Sequence, residues 1–367
     1  MKMTVFGLTV SSSWGNGHAT LWRGLIRALA GRGWTVTFFE RDVPYYAKNR
    51  DLTDIEGGRL VLYGDWDDIR AEAAREVAES DVAMVTSYCP DGIAAAGLVL
   101  EAGAALRVFY DLDTPVTLAR LVRGETVDYI GPAGLAGFDL VLSYTGGAAL
   151  DALEERLGAR RTAALYGHVD PEHHRPAEPR PEFAADISYL GTYAADRQEG
   201  VERFLVAPAR QRPDRRFVIG GAQYPADFPW TENINFVRHL PPADHPAFFS
   251  SSRLTLNVTR EAMAAMGWCP SGRLFEAAAC GVPIVTDVWP GLDAFFTPGA
   301  EILPARTTED VLAAFDLSDT ELKRIARAAR ERVLADHTSA RRAEELEAIL
   351  ASGNRLPDAP ARLAEEA

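Results

Sequence analysis

Several things are scarce in this 367-residue chain, and each scarcity excludes something. Cysteine occurs three times, at Cys89, Cys269 and Cys280, with no CxxC spacing, which excludes a disulfide scaffold and a cysteine-rich metal site and fits free thiols in a reducing compartment. No apolar run reaches the 18 residues that a membrane span needs. The opening MKMTVFGLTVSSSWGNGH breaks into polar residues too early for a signal peptide, so a cytoplasmic protein is expected. Positive charge is in deficit, 38 basic against 52 acidic residues for a net −14, which excludes a broad electrostatic footprint for nucleic acid while leaving room for a local phosphate pocket. Neither GxGxxG nor GxxxxGK[ST] follows the first strand, so standard dinucleotide and P-loop readings fail.

What is present is an ordinary globular composition, 47% hydrophobic and 25% charged, in a chain long enough for two domains. Short β-rich runs alternate with helical patterns. In the first half, strands are expected at 4–10, 35–40, 59–63, 82–86, 106–110 and 139–143, with helices at 18–30, 67–79, 91–101, 115–122 and 146–157. Residues 167–182, GHVDPEHHRPAEPRPE, carry four prolines and almost nothing apolar, and mark a boundary. Beyond it strands are expected at 187–190, 217–219, 235–237, 254–258 and 283–286, and helices at 198–209, 246–251, 272–280 and 309–315. A long helical stretch, 319–350, then splits near Asp336–Ser339. The pattern implies parallel sheets built from βαβ units, with domains at 1–166 and 183–350, a linker at 167–182 and a tail at 351–367. Ligands of such sheets bind at the carboxyl ends of the strands, and two such domains are expected to face each other across a cleft.

Candidate chemistry falls in three places. The loop Ser11–His18 joins the first strand to the first helix. Its Trp14, Gly15, Asn16 and Gly17 allow close approach to a ligand, and His18 either caps the helix, binds a sugar hydroxyl or acts as a base. Tyr110-Asp111-Leu112-Asp113-Thr114-Pro115 follows a strand. Either Asp113 or Thr114 is simply a helix cap, or Asp111 and Asp113, which strand periodicity sends to one side if the extended conformation continues that far, are general-base candidates. The stretch from Asn257 to Asp287 is the most informative. Ser271 is placed to cap a helix of small residues that ends at Gly281, which puts the cap, free N–H groups and Arg273 where a diphosphate could sit; Glu276 shares the helix face of Arg273, and the alternative for the two is a solvated ion pair. The histidines of the linker (His168, His173, His174) lack metal-ligand spacing, and no metal or other cofactor is expected.

At these residues the sequence resembles a known family. RLFEAAACGVPIVTD resembles the donor-binding signature of GT-B glycosyltransferases, while NVTREAMAAMGWCPSGRLFEAAACG and DVWPGLDAFFTPGAEIL resemble the spore-maturation-protein (CgeB-type) branch. LYGHVDPEHHRP is similar to that superfamily's crossing into the second domain, and GNGHA to its first glycine loop. The resemblance implies α/β GT-B architecture with two Rossmann-like domains, and transfer of a sugar from a UDP- or dTDP-type donor to an unidentified acceptor. The donor domain would be the second and the acceptor domain the first. Glu276 would hold the donor ribose. Gly191, Thr192, Tyr193, Arg197, Arg260, Ser271 and Arg273 would meet the diphosphate, and Gly221, Gln223, Tyr224, His239 and Leu240 would shape the base pocket. Asp113 or His18 would serve as acceptor base, with Trp14–His18 and Asp111 binding the acceptor. Alternatives are an epimerase of the same fold and a non-catalytic nucleotide-sugar-binding protein. One departure stands out: where the common retaining pattern has a glutamate eight positions before Glu276, this chain has Trp268, so donor sugar and stereochemical outcome do not carry over.

Overall fold

Parallel strands buried on both faces are written as unbroken apolar runs, and β1 (Lys2–Gly7, KMTVFG) is one, buried from Met3 onward. In the computed structural model, which describes residues 1–103 and 105–352, it lies inside a seven-stranded parallel sheet. The others are β2 (Thr35–Arg41), β3 (Gly58–Tyr63), β4 (Val82–Thr86), β5 (Leu106–Asp111), β6 (Leu140–Ser143) and β7 (Thr162–Ala164), in the order β3-β2-β1-β4-β5-β6-β7. A second parallel sheet contains β8 (Ala185–Leu190), β9 (Phe217–Gly221), β10 (Ile234–Arg238), β11 (Ser252–Asn257), β12 (Ile284–Asp287) and β13 (Leu303–Ala305), in the order β10-β9-β8-β11-β12-β13. Both orders reverse direction after the first strand, between β1 and β4 and between β8 and β11. That is the switch point where doubly wound sheets bind ligands.

Each sheet has its own core. Phe6, Phe39, Val85, Phe109 and Val141 fill the first, and Tyr189, Phe204, Phe217, Leu254 and Phe315 the second. The helix His18–Ala30 is amphipathic and buries Trp22, Leu25, Ile26 and Leu29.

Element positions match the sequence expectation closely, with instructive exceptions. The helix expected at 198–209 is broken into Gln198–Val201, a π-turn at Glu202–Val206 and Ala207–Gln211. Pro208 has no N–H to give an ordinary helical bond, and the wider turn absorbs it. Strands β7 and β13, of three residues each, and the short helices at Pro44–Ala47, Glu261–Met266 and Leu292–Phe295 were too brief for periodicity to register.

The chain forms two units, and their composition differs from the expected division at its C-terminal end. The first contains Met1–Tyr166 and the last helix, Ser339–Ala351; the second contains Gly167–Thr338, including the proline-rich segment. The last helix had been expected with the second domain. It packs instead on His18–Ala30, where Glu347 accepts from Trp34 Nε1 (2.8 Å) and Arg32 Nε (2.8 Å). The two chain crossings are paired: Val169 N donates to His337 O (2.9 Å), with a parallel bridge between Val169 and Thr338. Of the expected tail, residues 353–367 lie outside the described residues.

Candidate active site

At the carboxyl end of β1 the loop is held from beneath by Glu40, the β2 residue paired with Gly7. Its fully buried carboxylate accepts from Thr9 Oγ1 (2.7 Å), Val10 N (2.7 Å), Ser11 N (3.0 Å) and Ser11 Oγ (2.5 Å). Asn16 finishes the loop. Its Nδ2 donates to Thr9 O (3.1 Å) and its Oδ1 accepts from His18 N (3.1 Å), so Asn16 rather than His18 serves the start of the helix. Gly15 has φ +62°, which explains a glycine there.

This order frees the His18 ring, which stands 6.4 Å from the Tyr88 ring and 6.5 Å from the Tyr144 ring. Burial lowers the His18 pKa, opposed by the charge of Asp113 nearby, which keeps the ring neutral at neutral pH. Asp113 accepts a hydrogen bond from Tyr88 OH (2.8 Å), and Tyr88 follows β4 with a left-handed φ of +65°. His18 and Asp113, picked from two separate loops, thus belong to one cluster. Tyr88 and Tyr144 complete it, and neither belonged to a recognisable motif.

Asp111 departs from expectation. The strand ends at Asp111 and the chain turns at once, so the two aspartates diverge. Asp111 is fully buried; its Oδ1 accepts from Asp113 N (3.1 Å) and Thr117 Oγ1 (3.1 Å), and burial pushes its pKa up to about 6. It orders the turn and offers no surface to an acceptor. Asp113 occupies the N-cap position but makes no capping bond, its carboxylate being committed to Tyr88.

In the second sheet two glycine loops meet. Gly191 N donates to Gly220 O (2.8 Å), and a Cβ on Gly221 would stand 2.0 Å from Gly191 O, so only glycine permits this approach. Tyr193 N donates to Ala222 O (2.9 Å), Tyr224 OH to Gly191 O (3.2 Å) and His239 N to Gly221 O (2.6 Å). Gln223 and His239 adopt left-handed φ values of +66° and +47°. Strain of this kind is a feature of ligand-binding loops.

Arg273 reaches into these loops from the helix Gly272–Ala279. Its guanidinium lies 5.2 Å from the centre of the Tyr189 ring and Nη1 donates to Asn257 Oδ1 (2.8 Å); a Cβ on Gly191 would stand 2.9 Å from Tyr189 OH and 3.0 Å from Arg273 Nη2. Burial lowers the Arg273 pKa and the nearby Arg197 lowers it further, so two cations share one pocket. Arg197 Nη1 donates to Thr192 O (3.3 Å). Arg260, by contrast, is engaged by Asp196 (2.8 Å). Ser271 occupies the N-cap position with extended backbone but makes no side-chain cap. Trp268, where the resemblance places an acid, has φ +51° and lies against Gly291, on which a Cβ would clash with the indole at 2.6 Å.

Glu276, one turn beyond Arg273, sits beside two histidines. His174 Nε2 is 3.8 Å from Oε1 and His245 Nδ1 is 3.9 Å from Oε2. His174 comes from the proline-rich segment, whose local spacing gave no hint of this convergence.

Residues 197–348 match the family model described as glycosyl transferase-like. No curated protein matches the sequence. Solved structures similar to the chain include sucrose-phosphate synthase from Thermosynechococcus elongatus (14% identity, TM-score 0.65, covering 95% of this chain and 98% of that one). Anabaena HepE in complex with UDP-glucose is similar at 12% identity and TM-score 0.66, over 95% and 99%. An alpha-glucosyltransferase in complex with UDP-glucose and DNA containing an abasic site gives 12% and 0.70, over 96% and 100%. No helix among the described residues is long and apolar enough to cross a membrane. With its two parallel sheets and these structural neighbours the chain has the GT-B fold, and over residues 197–348 it matches the glycosyl transferase-like family.

Proposed function

We propose that the chain is a glycosyltransferase that binds a nucleoside-diphosphate sugar, of the UDP type, on its second unit. The observation that carries this reading is the pocket where Arg273 and Arg197 repel one another beside the Gly191 and Gly221 loops. Two cations gathered against backbone that only glycine can supply form a receptor for a diphosphate. The glycosyl transferase-like match over 197–348 and the UDP-glucose held by structural neighbours of the same fold support the choice of ligand.

In this reading Glu276 takes the ribose hydroxyls, and Tyr224, Gln223, His239 and Leu240 bound the base. Arg273 stabilises the charge that develops on the departing diphosphate, a role in which fixed cations act without reorganisation. The transfer then draws its positive charge from arginine rather than from a metal ion. Asp113, with neutral His18 beside it, takes the proton of the acceptor hydroxyl in an inverting displacement, and Trp14–Gly17 line the acceptor.

The test is a melting curve with UDP in the presence of EDTA. A ligand at about 100 times its dissociation constant adds about 2.7 kcal/mol, a rise of several degrees for domains of this size. A flat response to UDP, with and without EDTA, counts against the donor site. Release of UDP from a UDP-sugar on addition of an acceptor distinguishes transfer from isomerisation of the sugar and from binding alone.

A further inference from the structure

His174, His245 and Glu276 come from three separate stretches of the second unit: the proline-rich segment, the first residue of the helix His245–Ser250 and the middle of Gly272–Ala279. Their donor atoms all lie within 4.8 Å of one another. His245 Nε2 is 3.3 Å from Leu240 O. A carbonyl only accepts, so Nε2 carries the proton and the neutral ring keeps a lone pair on Nδ1, 3.9 Å from Glu276 Oε2. Burial pushes both histidines down to about 4, which holds them neutral near pH 7. His174 is 4% exposed, and neither of its ring nitrogens has a hydrogen-bond partner, nor does His245 Nδ1. Buried imidazoles ordinarily find partners, and here two ring nitrogens without one, His174 Nε2 and the His245 Nδ1 that carries the lone pair, face a single carboxylate.

We propose that His174, His245 and Glu276 bind one divalent transition-metal ion of the zinc class, and that this ion and the ribose of the nucleotide exclude one another at Glu276. Two imidazoles and a carboxylate are ligands for zinc, cobalt or nickel in preference to magnesium or calcium. Tetrahedral ligands bonded at about 2.0–2.2 Å stand roughly 3.4 Å apart, so the pairs at 3.8 and 3.9 Å close onto an ion with a small movement. The Leu240 carbonyl behind His245 is the outer partner that fixes the tautomer of a metal-bound imidazole. The side chains of His245 and Glu276 retain 14% and 12% exposure, which gives an ion a way in. Three protein ligands leave the fourth position open, as in sites that exchange a ligand. The exclusion rests on the reading of Glu276 as the ribose carboxylate; the ion site does not.

The experiment titrates chelator-stripped, nucleotide-free protein with CoCl2, followed by ZnCl2, in absorption and calorimetry. One Co²⁺ per chain is expected, with the intense visible bands of a four-coordinate centre, displaced by Zn²⁺ and not by Mg²⁺. His174→Ala and His245→Ala should each weaken the ion by at least about tenfold, since losing even an outer partner costs that much. Glu276→Ala should lose the ion and weaken UDP. Absence of stoichiometric uptake by wild type overturns the site without reliance on any variant, and so does unchanged affinity in both histidine variants. Saturating UDP should raise the apparent dissociation constant for Co²⁺; UDP that binds and leaves it unchanged overturns the exclusion. Failure of UDP to bind at all overturns the glycosyltransferase reading and leaves the ion titration standing.

Discussion

The two sheets are wound alike, and their corresponding strands end alike. β5 and β12 occupy the same place in their sheets and finish in aspartates, Asp111 and Asp287, whose pKa values burial pushes up. Each takes a threonine hydroxyl and a backbone N–H: Thr117 and Asp113 for Asp111, Thr259 for both in the case of Asp287. Above this shared footing the two crevices diverge. The first presents an imidazole, a carboxylate and two tyrosines (His18, Asp113, Tyr88 and Tyr144). The second presents guanidinium groups over glycine loops, with a carboxylate behind (Arg197, Arg273, Glu276). A fold places its loops at the switch point; the chemistry is set by which side chains those loops carry. A crevice of neutral imidazole and carboxylate suits proton removal, and one of paired cations suits an anion.

That contrast breaks most visibly at Asp113 and His18. Asp113→Asn and His18→Ala should lower turnover by roughly 10²–10⁴, the worth of a positioned general base, with the dissociation constant for UDP unchanged. Initial rates with saturating donor, beside UDP calorimetry, check both halves. Near-normal turnover in both variants removes the first crevice from the chemistry, and a matching loss of UDP affinity erases the division of labour.

Asp111 offers a sharper test of the footing. Its pKa in the folded chain is about 6 against an ordinary 3.8, so the folded state holds a proton that the unfolded chain gives up between those values. The stability this residue supplies is therefore full below pH 3.8 and lost as pH rises through 6. Two pKa units correspond to about 3 kcal/mol. Asp111→Asn keeps an acceptor for Asp113 N and Thr117 Oγ1 and does not titrate. Its stability relative to wild type should improve by up to about 3 kcal/mol between pH 4 and pH 7, read from urea unfolding at the two pH values. Parallel curves would mean that Asp111 titrates normally.

In the second crevice, Glu276→Ala should weaken UDP tenfold to a hundredfold, the loss of charged hydrogen bonds worth about 1.5–3 kcal/mol. Arg273→Ala should cost more in turnover than in UDP affinity, because the charge it meets grows as the diphosphate leaves. Wild-type UDP affinity in both variants would leave this crevice without a demonstrated ligand.

Much of this was legible in the sequence because its signals are local. Apolar runs marked every strand but the three-residue β7 and β13, Gly281 marked the end of its helix, and two loop motifs drew attention to His18 and Asp113. What was not legible depends on contacts between distant segments. Adjacent histidines in a proline-broken loop say nothing about metal, and only the fold carries His174 to His245 and Glu276. Ser271 has the right type and position for a cap, yet its hydroxyl makes no such bond. Asp111 and Asp113 look equivalent until the strand ends between them. The destination of the last helix was equally hidden: its Ala/Glu/Arg composition continues that of Asp319–Asp336 without a break in character, and the chain nonetheless changes unit at Ser339.

The smallest expected effect concerns that helix and separates the stability of one unit from the ligand of the other. Glu347 accepts from Trp34 Nε1, and Trp34 is 5% exposed, so its indole N–H depends on this carboxylate for a partner. The accompanying ion pair with Arg32 is about one-third exposed and contributes little. Glu347→Ala should therefore cost about 1 kcal/mol, close to a single net hydrogen bond, and the cost should fall on the first unit. Hydrogen exchange reads this by segment: amides of residues 18–30 and 339–351 should exchange faster, while the protection that UDP confers on residues 189–193 and 272–279 stays as in wild type. Faster exchange spread equally over β8 and β12 would mean that the last helix supports both units, and the two regions compared above would then have to be treated as one cooperative body.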